Sequence, residues 1–78
     1  MTNQIPIQKK VQRILECTQI LYQNDEISAE QKNTIANTCL SAIMNPGNLR
    51  NLTSLFKSLE YGTMFPDIVR ELVNLTSC

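Results

Sequence analysis

Chemistry has little to work with in this chain. It carries three cysteines, seven carboxylates and seven lysines and arginines, but no histidine. Histidine is the usual general base near neutral pH and the commonest metal ligand, so its absence removes the simplest route to either role. A serine or cysteine nucleophile would need a lysine or carboxylate as base, and no motif places one. Two carboxylate pairs have suggestive spacing: Asp25 with Glu26, and Asp67 with Glu71 one helical turn apart. One-turn spacing suits a shared metal or acid–base work, but it is also what a solvated helix face presents. Asp67 has a capping role at a helix start, and Arg70 lies close by. The expectation is no catalysis, no metal and no cofactor.

The cysteines, Cys17, Cys39 and Cys78, are odd in number and widely spaced. That fits neither a disulfide framework nor a zinc site of paired thiolates. Cys17 and Cys39 fall within helical patterns, where a free thiol acts as a small hydrophobe. Cys78 is read as a source of artefactual cross-links. With no basic-then-apolar leader at Met1–Pro6 and no apolar run near the ~20 residues a bilayer requires, a reduced, cytoplasmic setting is expected, without membrane insertion.

Two binding motifs resolve into simpler features. Asn24–Gln31 echoes the second half of a calcium-binding loop, with Ile27 at the isoleucine before the exiting helix. That register puts Ile20 and Tyr22 at ligand positions and Gln31 where a bidentate glutamate is needed, so the reading fails. A helix-turn-helix would join the second and third helices through Pro46-Gly47, with Asn48, Arg50, Asn51, Ser54 and Lys57 facing outward. Asparagine and arginine can read base edges, yet only Arg50 and Lys57 would be there to hold phosphates.

Two surfaces remain for a protein partner. Lys9, Lys10 and Arg13 cluster in the first turns of a helix, where cations oppose the dipole, so they suit an acidic partner if they are not simply solvated. Glu16, three residues from Arg13, offsets them in part. Ile20, Met44, Tyr61, Met64 and Phe65 are hard to fit together into the inward stripes of short helices. They either plug the end of the bundle or form an exposed patch.

Four helical stretches position all of these. From about residue 5 to 24, Ile7, Val11, Ile14, Leu15, Thr18, Leu21 and Tyr22 recur at three- and four-residue steps, with Pro6 in the first turn. Ser28 with Gln31 three residues on predicts a capping box for a second helix, whose inward residues are Ile35, Ala36, Cys39, Leu40, Ala42 and Ile43. After the Asn45–Asn48 turn, a third helix is expected at about residues 49–61, burying Leu49, Leu52, Leu55, Phe56 and Leu59. Gly62 would end it in a left-handed conformation. Pro66 and Asp67 open a fourth helix with Ile68, Val69, Leu72, Val73 and Leu75 inward, fraying after about Thr76.

At 78 residues this is one domain, near the size where a single core becomes marginal. Hydrophobic residues make up 42% of it, which argues against disorder. A formal net charge of zero gives no long-range field towards nucleic acid or anionic membranes, though it leaves room for a local patch. The fold expected is all-α, a single compact bundle of four short helices, or three helices with a short C-terminal helix packed across them. Residues 1–4 are expected to be flexible and 77–78 frayed. The function expected first is a small non-enzymatic protein-binding module: a regulator, adaptor or inhibitor. Its contacts would be Lys9, Lys10, Arg13, Tyr61, Met64 and Phe65. The alternatives are a nucleic-acid-binding regulator using the third-helix face, and a self-assembling subunit, a homodimer or larger homo-oligomer.

Overall fold

The computed structural model describes residues 6–77; the expectations for residues 1–5 and for Cys78 lie outside them. Four α-helices follow in order: α1 (Ile7–Gln23), α2 (Ala29–Met44), α3 (Thr53–Leu59) and α4 (Pro66–Ser77). A 3₁₀ segment, Pro46–Leu52, joins α2 to α3. Among the described residues there is no strand, and no helix is long and apolar enough to cross a membrane. The chain is an all-α four-helix bundle. Its radius of gyration is 11.9 Å, close to the roughly 11.5 Å of a folded chain of this length.

Each helix boundary has a local cause. Pro6 precedes α1 rather than lying within it, and its carbonyl accepts from the N–H groups of Lys9 and Lys10. At the other end, Asp25 takes φ = 60°, the one positive φ among non-glycine residues described. Its N–H donates to the Tyr22 carbonyl and that of Glu26 to Leu21, the paired bonds of a Schellman motif. The predicted capping box opens α2: the Gln31 N–H donates to Ser28 Oγ at 3.1 Å, and the Ser28 N–H to Gln31 Oε1 at 2.9 Å.

The third element departs from expectation. Residues 46–52 wind as 3₁₀ helix, and α geometry begins only at Thr53. Residues three apart eclipse one another in a 3₁₀ helix, so Leu49 and Leu52 point the same way, and both are buried. Phe56 extends that line one α-turn further, fully enclosed. Gly62 does not adopt positive φ. Instead α3 ends in tight turns, with Glu60 donating to Lys57 and Gly62 to Leu59.

The helices pack in sequence and close into a ring: α1 against α2, α2 against the 3₁₀ segment, α3 against α4, and α4 back against α1. The core they share contains Ile14, Cys17, Leu21, Ile35, Cys39, Phe56, Val69 and Leu72. Ile27, in the α1–α2 turn, joins it. Three expected core residues are exposed instead: Leu15, Leu40 and Ile43. The inward stripe of α2 is narrow, limited to Ile35, Cys39 and Ala42. Thr76, the last residue before the expected fraying, is fully buried. It donates to the Leu72 carbonyl at 2.9 Å and accepts from Thr53 at 3.1 Å.

Candidate functional site

Of the basic cluster, Arg13 is paired within the fold. Arg13 Nε donates to Glu71 Oε2 at 2.7 Å and its Nη2 to Glu71 Oε1 at 3.0 Å, a two-bond clasp from α1 to α4. Its third arm reaches Glu16 at 3.4 Å, as the three-residue spacing anticipates. The guanidinium holds the Glu71 carboxyl below its ordinary range and is itself made harder to deprotonate. Arg13 is thus engaged within the fold. Lys9 is exposed and Lys10 half-buried.

The apolar set divides in the same way. Tyr61 is 93% exposed and Met64 81%, while Phe65 is half-buried against the core. Both exposed side chains stand on the α3–α4 turn, which is tied to the α1–α2 turn through Glu26 and braced from within by Thr63. The Met64 N–H donates to Glu26 Oε1 at 3.3 Å, and the Phe65 N–H to Thr63 Oγ1 at 3.0 Å. Glu26 belongs to the α1–α2 turn, so this tip lies at that end of the bundle. Met44, 89% exposed, lies fifteen residues beyond Ala29, about 22 Å along α2 at a rise of about 1.5 Å per residue. Lys9 and Lys10 are similarly far up α1. The two candidate surfaces therefore lie apart, Lys9 and Lys10 near the start of α1 and Tyr61 and Met64 at the end that carries the α1–α2 turn.

Among the nucleic-acid candidates, Arg50, Asn51, Ser54 and Lys57 are exposed. Asn48 is half-buried, and its amide donates to Ser41 Oγ at 3.0 Å. The change from 3₁₀ to α geometry at Thr53 splits them between two elements, so no single recognition helix carries them.

Two features went unread in the sequence. One is Glu71 as the partner of Arg13. The other is a face of α2 on which Leu40, Ile43 and Met44, at i, i+3 and i+4, all stay exposed; the amphipathic stripe was read too broadly to show it. A broad, open depression on α1 is lined by Gln12, Leu15, Glu16 and Ile20 among others. Cys17 and Cys39 are both fully buried, and burial pushes the Cys39 thiol up to about 11 and raises that of Cys17. Among the described residues, no group of three or more acidic or sulfur side chains is placed to hold a metal ion.

Compared with known proteins, the chain matches no family model, no curated protein and no solved structure.

Proposed function

We propose that this chain is a small non-enzymatic protein-binding module whose contact point is the α3–α4 turn. One observation carries the reading: Tyr61 and Met64 stand almost wholly in solvent on a turn anchored by Glu26, Thr63 and the half-buried Phe65. Tyrosine and methionine are residue types enriched where proteins meet, and a pre-anchored turn limits the ordering that binding demands. Binding there would act by occupying a partner's surface, as a regulator, adaptor or inhibitor does. Buried, unpaired Cys17 and Cys39 are consistent with a reducing, cytoplasmic setting.

The test is capture of partners from lysate of the native host, with wild type and with the double variant Tyr61→Ser/Met64→Asp, each with and without nuclease. A protein held by wild type through nuclease treatment and lost by the variant supports the reading. Equal capture by both, with helix content unchanged, sinks it. Loss of the partner on nuclease treatment alone would shift the function to nucleic acid.

A further inference from the structure

The end of the bundle that carries Tyr61 and Met64 is also its acidic end. Residues 24–31 and 60–69 comprise the two turns joined by Glu26 and Met64 and the helix starts that follow them. They hold five of the seven carboxylates, Asp25, Glu26, Glu30, Glu60 and Asp67, and no lysine or arginine. Among the described residues the ion pairs are those of Arg13 with Glu16 and Glu71, so none of the five is neutralised within the fold. All but Glu26 are exposed.

Local causes account for part of this. Glu30 and Asp67 stand in the first turns of α2 and α4, where the dipole favours a carboxylate. Glu60 has no such cause: it caps the C-terminal end of α3, where a carboxylate opposes the dipole. Departures of that kind concentrate at functional sites. Glu60 directly precedes Tyr61, whose ring is a second and independent attraction for a cation. An aromatic face draws positive charge, and the chain shows that pairing at its other tyrosine, where the Lys32 ammonium lies 4.4 Å from the Tyr22 ring centre. The Tyr61 ring, 93% exposed, is bare.

Carboxylates beside a bare ring are complementary to arginine above all. Its planar guanidinium stacks on an aromatic face, pairs bidentately with a carboxylate, and is more weakly hydrated than an ammonium. Arg13 on Glu71 is the same carboxylate recognition made within the fold. Met64 adds an adaptable apolar contact. We infer that the α3–α4 turn binds a basic, arginine-bearing segment of another protein, its guanidinium groups set against Tyr61, Glu60 and the neighbouring carboxylates. This rests on that turn being the contact point and adds the charge of what it meets. Lys9 and Lys10, at the start of α1, repel such a segment, so the field of the chain steers it to the acidic end.

Fluorescence anisotropy of a short dye-labelled peptide of alternating arginine and leucine tests this, beside counterparts with lysine or glutamate in place of arginine. The arginine peptide binds more tightly than the lysine peptide and loses affinity as salt rises, and the glutamate peptide does not bind. Glu30→Gln/Glu60→Gln/Asp67→Asn keeps Tyr61 and Met64 and raises the dissociation constant about tenfold or more with helicity unchanged. Tyr61→Ser raises it as well, whereas Glu16→Gln, away from the tip, leaves it unaltered. No binding of the arginine peptide at low salt overturns the inference. So does binding of the glutamate peptide, or an affinity that neither the triple variant nor Tyr61→Ser weakens. Self-association that Lys9→Gln/Lys10→Gln abolishes would overturn it too, by seating a second copy at the tip. A host protein lost by Tyr61→Ser/Met64→Asp but kept by the triple variant would leave the turn as the contact point and sink only the basic partner.

Discussion

Arg13 and Glu71, 58 residues apart in sequence, form a two-bond ion pair that closes α4 against α1. Its geometry is the parallel fork in which guanidinium and carboxylate match best. The pair joins the first helix to the last across the open side of a sequentially packed bundle. It also takes the arginine out of the basic cluster that the sequence offers to a partner.

The pair predicts an acid dependence. Glu71 titrates below its ordinary value because Arg13 donates to its carboxylate. A carboxyl held lower in the folded chain than in the unfolded one adds stability above the unfolded value near 4.5, and loses it as pH falls through the folded value. Glu71→Gln should therefore lower the melting temperature at pH 7 by no more than about 4 °C, since both partners are substantially exposed. The difference from wild type should shrink at low pH and at high salt. A gap that stays constant from pH 7 to pH 2.5 would show that the ion pair is not its source.

Asp25 holds a backbone conformation that glycine occupies freely. Its two neighbouring Schellman bonds depend on that conformation rather than on the carboxylate. Asp25→Gly is expected to raise stability by up to about 1 kcal/mol, and Asp25→Val to lower it, because a β-branched side chain is poorly tolerated there. Urea unfolding of the three proteins checks the order. Asp25→Val matching wild type would mean that the turn does not need positive φ.

The parts of this fold that were legible in the sequence are those with local causes. Ser28 and Gln31 sit three residues apart, and that spacing alone specifies the capping box. The periodicity of Val11, Ile14, Thr18 and Leu21 fixes the face of α1. The 3₁₀ segment was not legible, because Leu49 and Leu52 at a spacing of three fit either helix type until packing decides. Leu40 and Ile43 were placed inward because periodicity reports which residues share a side, not how much of that side a neighbour covers. Tyr61 and Met64 stood out as hard to bury, and they are exposed. Glu71 could not be matched to Arg13 at all, since the contact exists only once the ring of helices closes.

Thr76 ties the end of α4 to α3. Its hydroxyl donates to Leu72 and accepts from Thr53, so both sides of a buried hydroxyl are satisfied. Thr76→Val keeps the shape but leaves the Thr53 hydroxyl without this acceptor. The expected loss is about 1 kcal/mol, seen as an earlier urea midpoint. Thr18 is a useful control: its hydroxyl donates only to the Ile14 carbonyl, already used by the helix, so Thr18→Val should cost less. Equal losses at the two positions would mean that the Thr53 contact adds nothing.

The thiols give the last prediction, at the alkaline end. Burial raises Cys39 to about 11 and Cys17 above its ordinary value, and both side chains are enclosed. With Cys78 replaced by serine to leave only these two, a thiol reagent at pH 8 should react far more slowly with the folded chain than with the same chain in denaturant. An unfolded thiol ionises near 9, whereas the folded one holds its proton to higher pH. Full stability should therefore hold below pH 9 and decline as pH rises from there through about 11. Replacing Cys39 by alanine should flatten that decline while lowering stability at neutral pH, through the small cavity left behind. Rapid labelling of the folded chain at pH 8, at a rate close to that in denaturant, would mean that the helices around Cys17 and Cys39 open far more readily than their burial implies.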